Sequence, residues 1–231
     1  QAVGSASNPL VVGFERSAHL LFGLIKKVFT NFGVKEIDSV VAGIAGGGRK
    51  KDTDELKRAI IDLAGREDVF IKRFEVVSDA EIAIEGAFTG KCGAILIAGT
   101  GSIIFGKDRK GNFIRAGGFG KIIGDEGSGY SIGRKGLSAV AKEFDGRGKK
   151  TLLSKILDSE FEIRNRDDLI TKVYSEKFDV AGIAPHVIAA AEERNMICRK
   201  ILEDEIGDLL LHIKAVKKSL HEKKIKLCLG G

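Results

Sequence analysis

Hydrophobic positions alternate between helical and strand spacing along the first hundred residues. The predicted elements are, in order, a helix over residues 13–32, a strand over 37–44, a helix over 53–63, a strand over 69–77, a helix over 80–89 and a buried strand over 93–98. Asp52 or Thr53 is the predicted N-cap of the second helix. Strands that alternate with helices in this way indicate an α/β sheet.

Beyond residue 98 the pattern begins with a hairpin and becomes mainly helical. The predicted elements are strands over 103–106 and 113–116, helices after residue 126 with the longest over 196–220, and a final strand over 225–229. The face of the long helix that we predict to point inward carries Ile197, Ile201, Ile206, Leu209, Leu210, Ile213, Val216 and Leu220. We predict an N-terminal lobe over 1–98 and a C-terminal lobe over 99–231.

The composition argues against several classes of protein. Lys and Arg number 38 against 32 Asp and Glu, but the two signs are mixed along the chain, which predicts a solvated surface and no nucleic-acid partner. No apolar run approaches the roughly 18 residues that span a bilayer, so we expect no membrane partner. Cys92, Cys198 and Cys228 lie far apart, which predicts neither disulfides nor a metal site and favours a cytoplasmic location.

Glycines are concentrated in one part of the chain, where 13 of the 30 fall between residues 93 and 136. The first cluster is Gly99-Thr100-Gly101-Ser102, between two predicted strands. Exposed N–H groups of such a turn can bind phosphate, and the Thr100 hydroxyl adds a donor. A tight hairpin turn without a ligand is the alternative. The chain has neither a P-loop nor a dinucleotide-binding glycine motif, so those nucleotide sites are not supported.

A second glycine cluster runs over residues 117–130 and brackets a pair of carboxylates just before a helix. Asp125 fits either an N-cap or a contact to a polar ligand. Five glycines before the helix exceed what a cap needs, which indicates backbone pressed against a ligand.

Two polar residues of the first half are also candidates. Asp79 follows a strand and begins a helix, where a carboxylate can take a proton from a substrate hydroxyl or simply cap the helix. Asn8 lies in a polar loop before Pro9, where it can bind sugar hydroxyls or form an Asx turn.

Together, the order and spacing of these motifs resemble the N-acetylglucosamine kinase family, within the BadF/BadG/BcrA/BcrD-type ATPase group. The most specific signal is the run Gly117-Gly118-Phe119-Gly120 followed by Gly124-Asp125-Glu126-Gly127-Ser128. The resemblance covers almost the whole chain. It implies a ribonuclease H-like, two-lobed fold of the actin, hexokinase and heat-shock-ATPase type, with mixed sheets flanked by helices.

The resemblance also implies site residues. Asp79 matches the catalytic aspartate that contacts the sugar hydroxyl, and the other sugar contacts match Asn8, Ser102, Ile103, Gly118, Phe119, Gly120 and Asp125. The nucleotide contacts match Gly99, Thr100, Gly101, Ala181 (or its neighbour Gly182), Gly230 and Gly231. ATP and Mg²⁺ are the implied cofactors, and a sugar is the implied substrate.

The sequence departs from the family pattern at both ends and at two sugar-side positions. The family's first strand and its Asp-Gly-Gly-Gly-Thr phosphate loop are missing, so we expect them upstream of Gln1. We expect the rest of the adenosine motif beyond Gly231. Ile103 stands where Asn is usual and Phe119 where Trp is usual, which leaves the sugar open. The apolar stripe of the long helix is either a face for a homodimer or part of the core.

Three functions remain open at this point. The first is a kinase for a hexose or amino sugar such as N-acetylglucosamine or glucosamine, with Asp79 as general base. The second is an ATPase activator of a 2-hydroxyacyl-CoA dehydratase or benzoyl-CoA reductase, which would hold an iron–sulfur cluster through cysteines. The third is a sensor that binds sugar or nucleotide without catalysis.

Overall fold

The computed structural model describes residues 2–34, 36–45, 47, 49–175 and 178–230. The chain divides into two compact units, 1–90 and 91–231. The first unit contains α1 (Pro9–Val12), α2 (Phe14–Phe32), β1 (Glu36–Ile44), α3 (Lys50–Arg66), β2 (Phe70–Ser78) and α4 (Asp79–Phe88). The second contains β3 (Gly93–Ala98), β4 (Ser102–Lys107), β5 (Phe113–Gly117), α5 (Gly129–Phe144), α6 (Leu152–Phe161), α7 (Arg166–Tyr174), a 3₁₀ turn (Ala181–Ile183), α8 (Ala184–Glu192), α9 (Met196–Ser219) and β6 (Leu227–Gly230).

The first unit is built on a parallel strand pair. β1 lies beside β2 with Glu36 opposite Phe70 and Ile44 opposite Ser78, and α3 forms the crossover that a parallel pair requires. Apolar side chains of α2, α3 and both strands bury each other in one core made of Ala18, Phe22, Ile44, Leu56, Ile60, Ala64, Phe74 and Val76.

The start of α3 corrects the sequence-based prediction. The helix begins at Lys50, and its N-cap is Arg49, which makes no side-chain cap. The predicted caps Asp52 and Thr53 therefore lie inside the first turn. There the Asp52 carboxylate accepts a hydrogen bond from Arg49 Nε at 2.7 Å, so the carboxylate stabilises the helix start by a different contact.

The second unit holds a mixed four-stranded sheet in the order β5-β4-β3-β6. β3 pairs antiparallel with β4 and parallel with β6, where Ile97 lies opposite Gly230. β3 and β6 therefore end at the same edge of the sheet. β3 belongs to this unit through both pairings, whereas the predicted lobes divide after residue 98, and that division stays a prediction.

Helix α9 packs on the sheet with only part of its predicted face. Val216 and Leu220 join Ala94, Leu96 and Ile104 in a buried core. The predicted inward positions of Ile206 and Leu210 are wrong, because these side chains are 55% and 48% exposed. The homodimer predicted from this helix stays a prediction.

A second core of this unit lies among its helices. It joins α5, α6, α7, the 3₁₀ turn, α8 and the first part of α9 through Leu137, Val140, Leu153, Leu157, Ile163, Leu169, Ile183, Val187, Ala190, Ala191, Cys198 and Ile201. In the part of the chain that the structure describes, no helix has the length and apolar character needed to cross a bilayer.

Candidate functional site

The turn between β3 and β4 is tied to the start of α5. The N–H of Gly99 donates to the carbonyl of Gly101 at 2.9 Å, and the N–H groups of Gly129 and Tyr130 donate to the carbonyls of Gly99 and Thr100 at 2.8 and 3.3 Å. The turn does join two antiparallel strands, as the hairpin interpretation required. The Thr100 side chain remains exposed, so its hydroxyl is accessible to a ligand.

A cavity of about 420 Å³ opens beside this turn and brings predicted nucleotide residues together. Its walls include Ala98, Gly99, Thr100, Gly127, Gly129, Ile132, Asp179, Ala181, Gly182, Ala184, Pro185 and Ile188. A Cβ added at Gly129 would lie 3.3 Å from the carbonyl oxygen of Gly99, so the helix approaches the turn closely because it begins with glycine. Asp179 is a carboxylate of this cavity that the sequence analysis missed.

Two other predicted nucleotide contacts lie near the chain end. Gly230 is the last residue of β6, at the same sheet edge as the turn after β3. Ligands of open α/β sheets bind at the carboxyl ends of strands, and a contact of Gly230 with a nucleotide stays a prediction. Gly231 lies outside the described residues.

The glycine-rich loop after β5 uses backbone conformations that favour glycine. Gly117, Gly118 and Gly120 have φ values of 70°, 69° and 84°. A Cβ added at Gly118 would overlap Ile103 Cδ1, so the loop passes directly over β4. The structure therefore brings together Gly118 and Ile103, two predicted sugar contacts. Phe119, a third, is 68% exposed.

Asp125 lies beside the turn after β3. A Cβ added at Gly101 would lie 2.9 Å from Asp125 Oδ2, so the carboxylate fills the space where any other residue would place its side chain. Asp125 has a φ of 60°, and the N-cap of α5 is Ser128. The capping interpretation of Asp125 is therefore wrong. Its carboxylate remains available to a ligand next to the proposed phosphate turn.

Ser102 connects the turn to the glycine-rich loop. Its side chain is 3% exposed, and its hydroxyl donates to the carbonyl of Glu126 at 2.5 Å. The hydroxyl therefore holds the Asp125–Gly127 segment near β4. A direct contact between Ser102 and a sugar stays a prediction.

Ser128 caps α5, and we expect its replacement to destabilise the start of this helix. Its hydroxyl oxygen accepts from the N–H of Ser131 at 3.1 Å, and the residue is fully buried. We expect Ser128→Ala to lower the free energy of unfolding by about 1 kcal/mol because the cap is lost. Chemical denaturation would measure this, and Ser128→Thr, which keeps the hydroxyl acceptor without adding a buried charge, is the control. Equal stability of Ser128→Ala and the natural protein would contradict the assignment.

His212 contacts the glycine-rich loop from α9, which sequence reasoning did not anticipate. A Cβ added at Gly117 would lie 2.8 Å from His212 Cε1, and His212 Nε2 lies 3.4 Å from a carboxylate oxygen of Glu126. The other ring nitrogen, Nδ1, is buried without a hydrogen-bond partner among the described residues. The histidine therefore forms part of the wall behind the loop.

In the first unit, Asp79 is the first residue of α4 and does not cap it. Ser78 is the N-cap, and its hydroxyl oxygen accepts from the N–H of Glu81 at 3.2 Å. Asp79 is exposed, and among the described residues its Oδ1 accepts a local hydrogen bond from the N–H of Ala80 at 2.9 Å. The capping interpretation of Asp79 is therefore wrong, and its role as a general base stays a prediction.

Asn8 is the N-cap of α1. Its side-chain oxygen accepts from the N–H of Leu10 at 3.0 Å, which is the geometry of an Asx turn. The structural alternative for Asn8 is therefore confirmed, and its contact with a sugar stays a prediction.

The BadF/BadG/BcrA/BcrD ATPase family matches residues 1–231. The chain belongs to this family. The resemblance drawn from the sequence motifs is thereby confirmed.

Two curated proteins related to this member of the BadF/BadG/BcrA/BcrD family are named as amino-sugar kinases. The N-acetylmuramic acid/N-acetylglucosamine kinase of Clostridium acetobutylicum is 36% identical over 203 residues, which are 86% of this chain and 65% of that protein. The N-acetyl-D-glucosamine kinase of Dictyostelium discoideum is 36% identical over 136 residues, which are 58% and 41% of the two chains. The chain thus spans less than two thirds of the length of these relatives.

Solved structures show the same fold. A candidate N-acetylglucosamine kinase from Chromobacterium violaceum superposes with a TM-score of 0.68 at 22% identity, over 99% of this chain and 77% of that one. One from Porphyromonas gingivalis gives 0.63 at 19% identity, over 99% and 78%. The predicted α/β fold class, with mixed sheets flanked by helices, is confirmed.

Proposed function

We propose that the protein containing this chain is an ATP-dependent kinase for a hexose or amino sugar, such as N-acetylglucosamine or glucosamine. The observation that carries this proposal is the convergence, in the second unit, of the Gly99–Gly101 turn, the cavity reaching Ala181 and the Asp125 carboxylate beside Gly101. The two curated relatives, both named as kinases of N-acetylated sugars, support the substrate class.

The nucleotide binds at the turn and cavity in this proposal. A volume of about 420 Å³ is within the range of small-molecule sites, and glycine backbone at Gly99 and Gly129 permits close approach of phosphate oxygens. Magnesium arrives with ATP as part of the substrate. The described residues contain no group of three or more His, Cys, Asp or Glu that could hold a metal. Magnesium commonly needs only one or two carboxylates besides phosphate oxygens and water, so the residues are compatible with it.

The sugar is recognised by a polar and an apolar group of residues. The Asp125 carboxylate accepts hydrogen bonds from sugar hydroxyls, as an ionised carboxylate can accept several. Ile103, Gly118 and Phe119 supply an apolar surface against the sugar ring or its substituent. Because Gly118 lies directly over Ile103, backbone groups of the loop can approach the sugar closely.

Asp79 acts as the general base. It takes the proton from a sugar hydroxyl, for which we propose the hydroxyl at C6. As the proton leaves, the hydroxyl oxygen forms its bond to the γ-phosphorus of ATP. The bond from that phosphorus to the β–γ bridging oxygen breaks, and ADP leaves. Such a reaction depends mainly on positioning and on stabilisation of phosphate charge, to which the N–H groups of the turn contribute.

The first experiment measures ADP release by the natural full-length protein with magnesium-ATP, with and without a panel of hexoses and amino hexoses. We expect ADP only with particular sugars, together with a sugar phosphate detected by mass spectrometry. ADP formed equally without any sugar would replace this proposal by the ATPase-activator function. Sugar or nucleotide binding without any ADP would replace it by the sensor function.

The cysteines of the chain do not favour the activator function. Burial raises the pKa of the Cys198 thiol, whereas a cluster ligand has to be a thiolate. Cys92 is half-buried and Cys228 is exposed at the other end of the unit's sequence. We therefore expect absorption spectroscopy to show a colourless preparation.

We also propose a cytoplasmic location for the protein, because ATP is available there.

A further inference from the structure

A buried carboxylate lies behind the glycine-rich loop and has no place in the proposed chemistry. Glu205 of α9 is 1% exposed. It accepts hydrogen bonds from the N–H of Gly127 and from the hydroxyl of Ser131 at 2.6 Å, and it forms an ion pair with Lys135 Nζ at 2.7 Å. Three elements of the second unit therefore meet at one side chain: α9, the end of the loop and the first turns of α5.

Stability alone does not account for this arrangement. The Lys135 side chain is 33% exposed, whereas the Glu205 carboxylate is buried and has lost its hydration, and that loss offsets much of what an ion pair contributes. A buried carboxylate needs well-placed hydrogen-bond partners, so it fixes the positions of the groups that surround it. Glu205 stands between Ile201 and Leu209 on the apolar side of α9, where a charge would otherwise be unfavourable.

The backbone at Gly127 packs closely against α9. Gly127 has a φ of 78°, and a Cβ added there would overlap Leu209 Cγ. The loop end is therefore pressed onto α9, and its N–H points at Glu205. An alternative acceptor for this buried N–H would require the loop to move.

Gly127 is connected to both halves of the proposed site. The next residue, Ser128, donates its N–H to the carbonyl of Asp125 at 3.1 Å, and Gly129 donates its N–H to the carbonyl of Gly99 at 2.8 Å. A displacement of Gly127 would therefore move the sugar-binding carboxylate and loosen the phosphate turn.

We infer that Glu205 is a positioning residue for the proposed phosphoryl transfer: it holds the Gly127 N–H and so fixes Asp125, while Lys135 balances its charge. This inference rests on the proposed function. It predicts that losing the acceptor raises the KM for the sugar, whereas losing the ion pair as such does not.

Two double variants of the natural full-length protein separate these effects. Lys135→Met with Glu205→Leu replaces the ion pair by apolar side chains and removes the acceptor. Lys135→Met with Glu205→Gln removes the same charges but keeps an oxygen for the Gly127 N–H. We expect the Leu variant to lose about 10²-fold in kcat/KM for the sugar, mainly through KM, because small misplacements of a binding group have effects of that size. The Gln variant should recover most of that loss.

Asp204→Asn is the matched control, because Asp204 is the neighbouring carboxylate of α9 and pairs with exposed Lys200 at 2.8 Å. We expect it to leave the KM for the sugar unchanged. A purely structural role of Glu205 would lower the amount of folded enzyme and hence apparent kcat, with an unchanged KM. An unchanged KM in the Leu variant would overturn the inference.

Amide hydrogen exchange of the peptide that contains Gly127 gives a second, activity-independent test. Exchange should be faster in the Leu variant than in the Gln variant, and equal exchange would overturn the proposed role of Glu205. Absence of sugar-dependent ADP release by the natural protein would overturn the proposed function instead. In that case the exchange measurement still decides whether Glu205 holds the loop.

Discussion

Replacing Asp79 by Asn is expected to lower kcat of the natural full-length protein by about 10²–10⁴-fold, because an amide cannot take the proton of the sugar hydroxyl. The change keeps the size of the side chain and its ability to accept from the Ala80 N–H. Since the helix is capped by Ser78, the start of α4 should also be preserved. An ADP-coupled assay would measure kcat, and calorimetry would show that sugar and ATP still bind.

Glu81→Gln provides the control for this change, because it neutralises another acid of the first turn of α4. Glu81 lies two residues after Asp79, about half a helical turn further on, and its carboxylate accepts a hydrogen bond from the Ser78 hydroxyl at 3.2 Å. Its replacement should leave kcat nearly unchanged. Near-normal turnover of the Asp79→Asn variant would remove the general base from the proposed mechanism, whatever the control shows.

Replacing Gly133 by Ala is expected to destabilise the second unit by about 1–3 kcal/mol, because the added methyl group overpacks a close contact. A Cβ at this position of α5 would overlap the carbonyl oxygen of Val180 and lie 3.0 Å from its carbonyl carbon. Backbone atoms cannot rotate away as a side chain can. The segment leading into Ala181 and Gly182 has to shift, so the KM for ATP should rise together with the loss of stability.

The same substitution at Gly207 should have the opposite sign. Gly207 lies in α9, and a Cβ added there meets no atom within 4 Å. Ala in an exposed helical position is favoured over Gly by about 0.5–1 kcal/mol, so Gly207→Ala should stabilise the protein. Guanidinium denaturation and ATP kinetics on both variants provide the comparison. A similar response of the two variants would show that the contact between Gly133 and Val180 is unimportant.

Sequence patterns predicted the elements of the chain well where one face of an element is buried. The predicted bounds of β3 and α9 agree closely with the structure, because an unbroken apolar run and a long helical stripe are strong signals. The same stripe misplaced Ile206 and Leu210, because periodicity cannot show how much of a helix its neighbours cover. Glu205 was missed although its position on the apolar stripe, between Ile201 and Leu209, was a readable signal.

The capping residues of α4 and α5 could not be predicted from the sequence, unlike the Asx turn of Asn8 at the start of α1. Asp79 and Asp125 each had a capping interpretation, and in both cases a nearby serine, Ser78 or Ser128, forms the cap. Which residue becomes the N-cap depends on the backbone angles of that single residue. Neighbouring polar residues are equally suitable as caps when only the sequence is considered. The contact of Asp125 with Gly101 depends on how two separate loops meet, and only the three-dimensional structure shows it.

The parallel pairing of β3 with β6 has a consequence for biosynthesis. Ala94 and Leu227 are partners, yet the ribosome makes all of α5 to α9 between them. One edge of the apolar strand β3 therefore stays open while the intervening helices emerge, and open apolar edges are sites of aggregation. We expect the nascent chain to depend on chaperones during this interval, and slower growth at low temperature to increase the yield of soluble protein.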